Sequence, residues 1–107
     1  MCGIAGKTDW NRNDGVRAKT VRDMTQAIAH RGPDAAGQID LDEISLGHRR
    51  LSIIDLSEKA SQPMSTIDGR YHIVYNGEVY NFQELRAELE NKFNIEFFSH
   101  SDTEVIL

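Results

Sequence analysis

Cys2 is the residue of this chain whose chemistry most needs an explanation. It is the single cysteine among 107 residues, and it directly follows Met1. Its small side chain permits removal of Met1, which would leave a thiol and a free α-amine on one residue. A terminal amine can take the proton of a neighbouring nucleophile. The alternative is a buried cysteine that packs as a small apolar residue. When Cys2 is considered alone, this alternative is favoured by about two to one.

Asn76 and Gly77 form a second pair that could do chemistry, between the apolar runs 73–75 and 78–80. In this setting an Asn-Gly pair predicts a β-hairpin with a type I′ turn. The alternative is an oxyanion hole, in which the Asn76 amide and the Gly77 N–H point at one atom. Such a donor lowers a reaction barrier by ~3–4 kcal/mol. The residue types leave both interpretations open.

Arg50 and Asp102 are candidate ligands for a charged small molecule. Arg50 suits two parallel hydrogen bonds to a carboxylate, or it is a solvated charge at a strand edge. Asp102 suits an ammonium group, or it is a negative charge that stabilises a helix N-terminus. Together they could hold a free amino acid by both charged ends. The sequence does not establish that they converge.

Composition and motifs exclude several classes of function. The four histidines lie 18, 24 and 28 residues apart, and there is no cysteine pair, so we expect no metal site. P-loop, G-x-G-x-x-G and G-x-S-x-G motifs are absent from the sequence. A net charge of −5 disfavours nucleic-acid binding, and no apolar run reaches the ~20 residues that span a bilayer. A single cysteine suits a reducing environment, so we expect a cytoplasmic protein.

The first half of the chain is predicted to contain strands around one helix. Residues 2–7 indicate a buried first strand. The next element is a helix whose apolar face is formed by Ala18, Val21, Met24 and Ile28, with Arg17 off that face. Pro33 ends it. Residues 43–54 contain two β-favouring runs, and 55–69 is predicted to be a loop.

The second half is predicted to contain the hairpin at 73–80, a second helix and a strand at 95–98. Asn81 is the expected cap of that helix, and its apolar face consists of Phe82, Leu85, Leu89 and Phe93. Hairpins in place of alternating strand–helix units predict an α+β fold with antiparallel sheets.

Ser101 and Glu104 match a capping box, in which Ser101 accepts from the Glu104 N–H and the Glu104 carboxylate accepts from the Ser101 N–H. Only three residues follow, and a helix of about one turn would not persist alone. A frayed terminus with an accidental match is the alternative. We expect the chain to be the front part of a longer domain.

Five sequence blocks, in this order, resemble the class II glutamine amidotransferases, and most closely the glutamine-hydrolysing asparagine synthetases. The blocks are MCGIAG at 1–6, HRGPD at 30–34, HRRLSIID at 48–55, YNGEVYN at 75–81 and SDTEVIL at 101–107. The resemblance implies an N-terminal-nucleophile hydrolase fold, an αββα sandwich of antiparallel sheets. Residues 1–107 would be the truncated N-terminal part of this glutaminase domain.

The resemblance also implies roles for individual residues. Cys2 would attack the side-chain amide of glutamine and form a γ-glutamyl thioester, with Asn76 and Gly77 as the oxyanion hole. The implied substrate-binding groups are Arg50 for the α-carboxylate, Asp102 with Glu78 for the α-ammonium, and the backbone of Ile53 and Ile54 along the pocket. The loop 31–34 would be mainly architectural.

The implied partners are glutamine and a synthetase domain in the full-length protein. The ammonia would supply ATP-dependent asparagine synthesis from aspartate, with ATP and Mg²⁺ bound in that synthetase domain and no cofactor or metal in this chain. The oligomeric state, a homodimer included, stays open. Two alternatives are another ammonia acceptor (a sugar phosphate, a phosphoribosyl group or a polysaccharide) and a fragment without catalytic activity.

Overall fold

The computed structural model of the protein describes residues 1–9 and 14–107. The α-helices and strands are β1 Gly3–Thr8, α1 Asp14–Ala27, β2 Ala35–Asp40, β3 Ile44–Arg50, β4 Met64–Ser65, β5 His72–Ile73 and α2 Phe82–Phe93. Short 3-10 helices cover Ala29–Arg31, Glu58–Ala60 and Asp102–Val105. The strands that pair in this part of the chain do so antiparallel, which confirms the predicted α+β class.

The larger sheet places Cys2 beside the end of the central strand. Its strand order is β1-β3-β2, and Gly3 of β1 lies opposite Arg49 of β3. Because the two strands are antiparallel, the residue before β1 meets the residues that end β3. Residues 2 and 50, which are 48 positions apart in sequence, are therefore neighbours by register alone.

The position of the first strand is confirmed, but its predicted burial is wrong. Gly3 is buried, whereas Ile4 is 49% exposed. The reason is that successive residues of a strand point to opposite faces of the sheet. The Gly3 position faces Ile28, which follows α1, whereas Ile4 points to the other face. The predicted second β run in 43–54 is also wrong, since regular strand structure ends at Arg50.

The helix α1 is confirmed and Val21 of its predicted face is buried, but the rest of the buried face differs from the prediction. Its buried residues are Arg17, Val21 and Thr25, which recur every fourth position. Met24, predicted on that face, is 40% exposed. Spacing and hydropathy missed the face because its first member is an arginine.

Arg17 is fully buried because the sheet supplies acceptors for its guanidinium. Its Nε donates to Ser45 Oγ at 3.0 Å, and one terminal nitrogen donates to the Asp42 carbonyl at 3.1 Å. The other terminal nitrogen donates to the Leu41 carbonyl, and Asp14 lies 3.3 Å away as an ion pair. A buried charge is tolerated when it is paired and hydrogen-bonded in this way. Arg17 therefore ties α1 to the β2–β3 connection.

The second sheet is a short hairpin of β4 and β5, and this part of the chain differs from two predictions, the loop at 55–69 and the hairpin at 73–80. Ser65 of β4 pairs with His72 of β5, so the predicted loop at 55–69 contains a strand. The predicted hairpin around Asn76 and Gly77 is wrong. Residues 78–80 form no strand, and neither residue of the pair has the positive φ that a type I′ turn requires.

The helix α2 starts after Asn81 as predicted, but the Asn81 side chain makes no capping hydrogen bond. Of the predicted apolar face, Phe82, Leu85 and Leu89 are half-buried, whereas Phe93 is 66% exposed. The helix ends at Asn94, which adopts a left-handed conformation with φ of 55°. In the described ranges, no helix is long and apolar enough to cross a membrane.

The predicted strand at 95–98 is wrong because the backbone at its end is hydrogen-bonded to a carboxylate. The Phe98 and Ser99 N–H groups donate to the two oxygens of Glu104 at 2.8 and 2.9 Å. The predicted capping box is therefore only half right. Ser101 Oγ does cap the 3-10 helix, but it accepts from the Thr103 N–H at 3.1 Å, and Glu104 binds residues upstream of Ser101.

Candidate active site

An open cavity lies where the end of β3, the following loop, the turn at 75–78 and the last 3-10 helix meet. Its volume is about 500 Å³, mouth included. Seven predicted site residues line it: Cys2, Arg50, Ile53, Ile54, Gly77, Glu78 and Asp102. Asn76, the remaining predicted residue, adjoins Gly77 but is not in the lining. The structure thus brings together residues that the sequence left unconnected.

Cys2 is half-buried at the edge of this cavity, and its sulfur faces the backbone of Leu51. The Leu51 N–H donates to Sγ at 3.3 Å, and the thiol approaches the Leu51 carbonyl at 3.6 Å. Both contacts follow from the β1–β3 register. A backbone N–H aimed at sulfur can stabilise negative charge there. Leu51 is a site residue that the sequence reasoning missed, because a backbone donor leaves no signal in residue type.

The loop 31–34 holds the two strand ends that form the site. The Arg31 side chain donates to the Cys2 carbonyl at 3.3 Å. The Asp34 N–H donates to the Arg50 carbonyl at 3.0 Å, and the Asp34 carboxylate accepts from the Ser52 N–H at 2.7 Å. At Gly32 a methyl group would collide with the backbone where β3 ends. These contacts support the architectural role expected for this loop.

Arg50 is 8% exposed, and its guanidinium binds the loop that follows β3. One terminal nitrogen donates to the Ser57 carbonyl at 2.6 Å, and the other donates to the Asp55 carbonyl. A guanidinium has five N–H donors, so these two bonds leave further donors for a ligand. The interpretation of Arg50 as a solvated charge at a strand edge is wrong.

Asp102 is a buried carboxylate, 6% exposed, at the start of the last 3-10 helix. One of its oxygens accepts from the Val79 N–H at 2.8 Å. This bond ties the turn that carries Gly77 and Glu78 to the segment that carries Asp102. A buried carboxylate favours a cationic partner, since burial is costly for an unpaired charge.

The turn at 76–78 is shaped by Tyr75. A methyl group at Gly77 would lie 2.7 Å from the ring and hydroxyl of Tyr75, so this position accepts only glycine without displacement. The Tyr75 hydroxyl donates to the Glu78 carbonyl at 3.4 Å. Because the hairpin interpretation is wrong, the oxyanion-hole interpretation of Asn76 and Gly77 stays as the prediction for this pair.

Two ionisable side chains at this cavity have displaced pKa values. Burial lowers the pKa of His48 below its ordinary value, against a hydrogen bond to the Tyr75 carbonyl that opposes the shift. Hydrogen bonds from the Ser57 side chain, and then from the backbone N–H groups of His100 and Ser57, lower the pKa of Asp55 to about 2. Asp55 therefore stays ionised and clamps the loop after β3 to the segment before Asp102.

Across the ranges that the structure describes, no three His, Cys, Asp or Glu side chains gather as metal ligands. The lining of the cavity instead combines the Cys2 thiol with the charged residues Arg50, Glu78 and Asp102. The arrangement suits nucleophilic chemistry on a small zwitterion, with opposite charges available for its two ends.

Comparison with known proteins defines the family. A model described as a glutamine amidotransferase domain matches residues 1–107, and the chain belongs to this family. The chain is 43% identical over 109 residues to asparagine synthetase [glutamine-hydrolyzing] 1 of Bacillus subtilis strain 168. It is 39% identical over 109 residues to asparagine synthetase [glutamine-hydrolyzing] 3 of the same strain, and 39% identical over 117 residues to amidase chyE of Penicillium rubens.

These alignments cover the whole of this chain and 17% of each of the three relatives. The chain therefore spans about a sixth of the length of these curated proteins. The family resemblance inferred from the sequence blocks is confirmed.

Proposed function

We propose that this chain is the front part of the glutaminase domain of a longer enzyme that releases ammonia from glutamine. The observation that carries the proposal is one cavity lined by Cys2, Arg50 and Asp102. A free amino acid carries an α-carboxylate and an α-ammonium, which a guanidinium and a carboxylate recognise. Membership of the glutamine amidotransferase family supports glutamine as that amino acid.

The proposed reaction requires removal of Met1, which is 71% exposed. The freed α-amine of Cys2 takes the thiol proton, directly or through a water, and the sulfur attacks the amide carbon of glutamine. The carbon–nitrogen bond then breaks, and the proton passes to the departing ammonia. Water cleaves the γ-glutamyl thioester, which yields glutamate and restores the thiol. Asn76 and Gly77 are proposed to donate to the oxyanion of each tetrahedral intermediate.

Substrate binding is proposed to use the charged residues that line the cavity. Arg50 would hold the α-carboxylate through the donors that its two carbonyl bonds leave available. Asp102, with Glu78 nearby, would hold the α-ammonium. The backbone of Ile53 and Ile54 would line the pocket between them. A ligand held at both ends presents its side-chain amide in one direction, which lowers the entropic cost of reaction.

In the full-length protein we propose that the ammonia serves ATP-dependent asparagine synthesis from aspartate, in the cytoplasm. Two of the three relatives named above are asparagine synthetases by name, which supports this acceptor. The synthetase region would be the partner of this domain, and ATP and Mg²⁺ would bind there. A homodimer is one assembly that size measurements on the full-length protein would test.

The third relative favours a second candidate, the same glutaminase chemistry with a different ammonia acceptor. Amidase chyE matches the whole length of this chain at 39% identity, and it is not named as an asparagine synthetase. Incubation of the full native chain with glutamine, ATP and aspartate distinguishes the two candidates. Asparagine that carries the amide nitrogen of labelled glutamine supports the first candidate, and glutamate release without asparagine supports the second.

The test of glutamine hydrolysis is Cys2→Ala in the full native chain. We expect loss of glutaminase activity and of labelling by an electrophilic glutamine analogue. Synthesis from added ammonia should be retained, which serves as the control for folding. Intact-mass analysis shows whether Met1 has been removed from the active preparation. Full glutaminase activity in Cys2→Ala, or in a preparation that retains Met1, would contradict the proposed mechanism.

A further inference from the structure

Tyr75 directly precedes Asn76 and Gly77, and its polar groups are bound by other parts of the chain. Its N–H donates to Gln62 Oε1 at 2.6 Å. Its carbonyl lies 3.3 Å from His48 Nε2, which donates to it. The backbone of Tyr75 is therefore held through both of its polar groups, by a residue of β3 and by a residue of the loop before β4.

The two residues that hold Tyr75 are themselves fixed. Gln62 is half-buried, and its Nε2 donates to Thr103 Oγ1 at 3.3 Å, which sets the orientation of its amide. His48 is 1% exposed, and its lowered pKa keeps the imidazole neutral. A neutral imidazole has a single N–H. That proton must be on Nε2 for the bond to the Tyr75 carbonyl.

The same turn is held at its far end by Asp102, which accepts from the Val79 N–H. Gln62 reaches Thr103, the residue next to Asp102, so one side chain joins the turn to the segment that would bind the substrate ammonium. The ring of Tyr75 also packs against Gly77. A shift of Tyr75 would therefore move the donors at 76 and 77 together.

We propose that Gln62 and His48 are positioning residues that hold the backbone N–H and carbonyl of Tyr75 and thereby aim the Asn76 amide and the Gly77 N–H at the oxyanion. This inference rests on the proposed function. Both residues also line the cavity, but the proposed role of each is exerted through Tyr75, so they are positioning residues and not catalytic residues. Oxyanion-hole donors contribute to rate because they are preorganised, and a displacement of about 1 Å can cost on the order of 10²-fold in rate.

The test uses Gln62→Met and His48→Phe in the full native chain. Gln62→Met closely keeps the side-chain volume, His48→Phe keeps an aromatic ring of somewhat larger volume, and both remove the hydrogen bond. We expect kcat for glutamine hydrolysis to fall about 10- to 100-fold, with KM within about twofold of the wild-type value. Affinity for the γ-aldehyde analogue of glutamine, which forms a tetrahedral adduct on sulfur, should fall in parallel with kcat. Gln83→Met, an exposed substitution of the same type on α2, is the matched control and should change neither.

A conservative variant and a double variant separate positioning from a general loss of structure. Gln62→Glu keeps an acceptor for the Tyr75 N–H, so it should recover most of the kcat lost in Gln62→Met. In an Asn76→Ala background, Gln62→Met should cost much less than it does in the wild-type protein, because one of the donors that it positions is already absent. If Gln62→Met fails to melt cooperatively, His48→Phe provides the same comparison from β3.

Unchanged kcat in both variants, or a rise in KM with unchanged kcat, would overturn the positioning role. The role would also be overturned if Gln62→Met lost both kcat and cooperative melting and Gln62→Glu recovered neither. These results are distinguishable from failure of the proposed function, which is tested by Cys2→Ala. If Cys2→Ala abolishes activity while the Gln62 and His48 variants keep a normal kcat, the proposed function is retained and the positioning role is rejected.

Discussion

Replacement of Asp102 by asparagine separates substrate recognition from folding at this site. The carboxylate is 6% exposed, and one of its oxygens accepts from the Val79 N–H at 2.8 Å. Asparagine keeps an oxygen for that N–H and removes the negative charge proposed to bind the substrate ammonium. Asp102→Asn should therefore fold like the wild-type protein and bind glutamine more weakly.

The expected magnitude follows from the burial of this carboxylate. A hydrogen bond between charged groups contributes about 1.5–3 kcal/mol, and burial keeps solvent screening low. At about 1.4 kcal/mol per factor of ten, kcat/KM should fall roughly 10- to 150-fold. Most of the loss should be in KM, because the ammonium is bound equally in ground and transition states. Asp102→Ala is the contrasting variant, since it leaves the Val79 N–H unpaired and costs about 1–3 kcal/mol of stability as well.

The assay compares glutamine with glutaramate, which has the side-chain amide and the carboxylate but lacks the α-ammonium. The wild-type protein should strongly prefer glutamine, and Asp102→Asn should lose most of that preference while its urea unfolding midpoint stays unchanged. A wild-type KM for glutamine in Asp102→Asn would refute binding of the substrate ammonium by Asp102. Equal kcat/KM of the wild-type protein for both compounds would refute it as well.

Two further predictions concern stability and are measured by urea unfolding of the full native chain. Gly32→Ala should destabilise the protein by about 1–3 kcal/mol, because its methyl group would meet the backbone at the end of β3. Gly15→Ala is a control within α1, where a methyl group meets none of the described residues within 4 Å. It should stabilise the protein by about 0.5–1 kcal/mol, and the opposite ranking would contradict the packing of Gly32 against β3. Asp55 has a lowered pKa of about 2, so the stability that it contributes is present above its unfolded pKa of 3.8 and is lost as pH falls through about 2. Asp55→Asn should therefore flatten the decline in stability between pH 4 and pH 2, and a decline as steep as in the wild-type protein would show that other carboxylates cause it.

Local sequence signals predicted the helices and the first strand, and they failed where a hydrogen-bonding group outside the segment decides the conformation. The 95–98 segment has strand-forming residues, but the N–H of Phe98 donates to Glu104. Asn76 and Gly77 have the composition of a hairpin turn. Their neighbour Tyr75 is instead held by Gln62 and His48, which are not adjacent in sequence. Propensity is a weak preference that such tertiary hydrogen bonds override.

The buried face of α1 shows that local sequence signals can also fail for a residue in the core. Hydropathy placed Met24 inside and Arg17 outside, and the structure has them the other way round. The cost of burying a guanidinium is met by acceptors on Ser45 and in the β2–β3 connection, which hydropathy does not include. A pattern of apolar residues therefore located the helix and misjudged its orientation.

By itself the sequence determined the family, the α+β class and the residue types available for chemistry, because ordered blocks of residues and local periodicity are properties of the chain alone. Tertiary structure decided which of those residues meet. Cys2 reaches Leu51 through the β1–β3 register, and Asp102 reaches the turn after Tyr75 through a hydrogen bond to the Val79 N–H. Gln62 had no signal in the sequence at all. Its position follows from contacts with Tyr75 and Thr103, which exist only once the chain has folded.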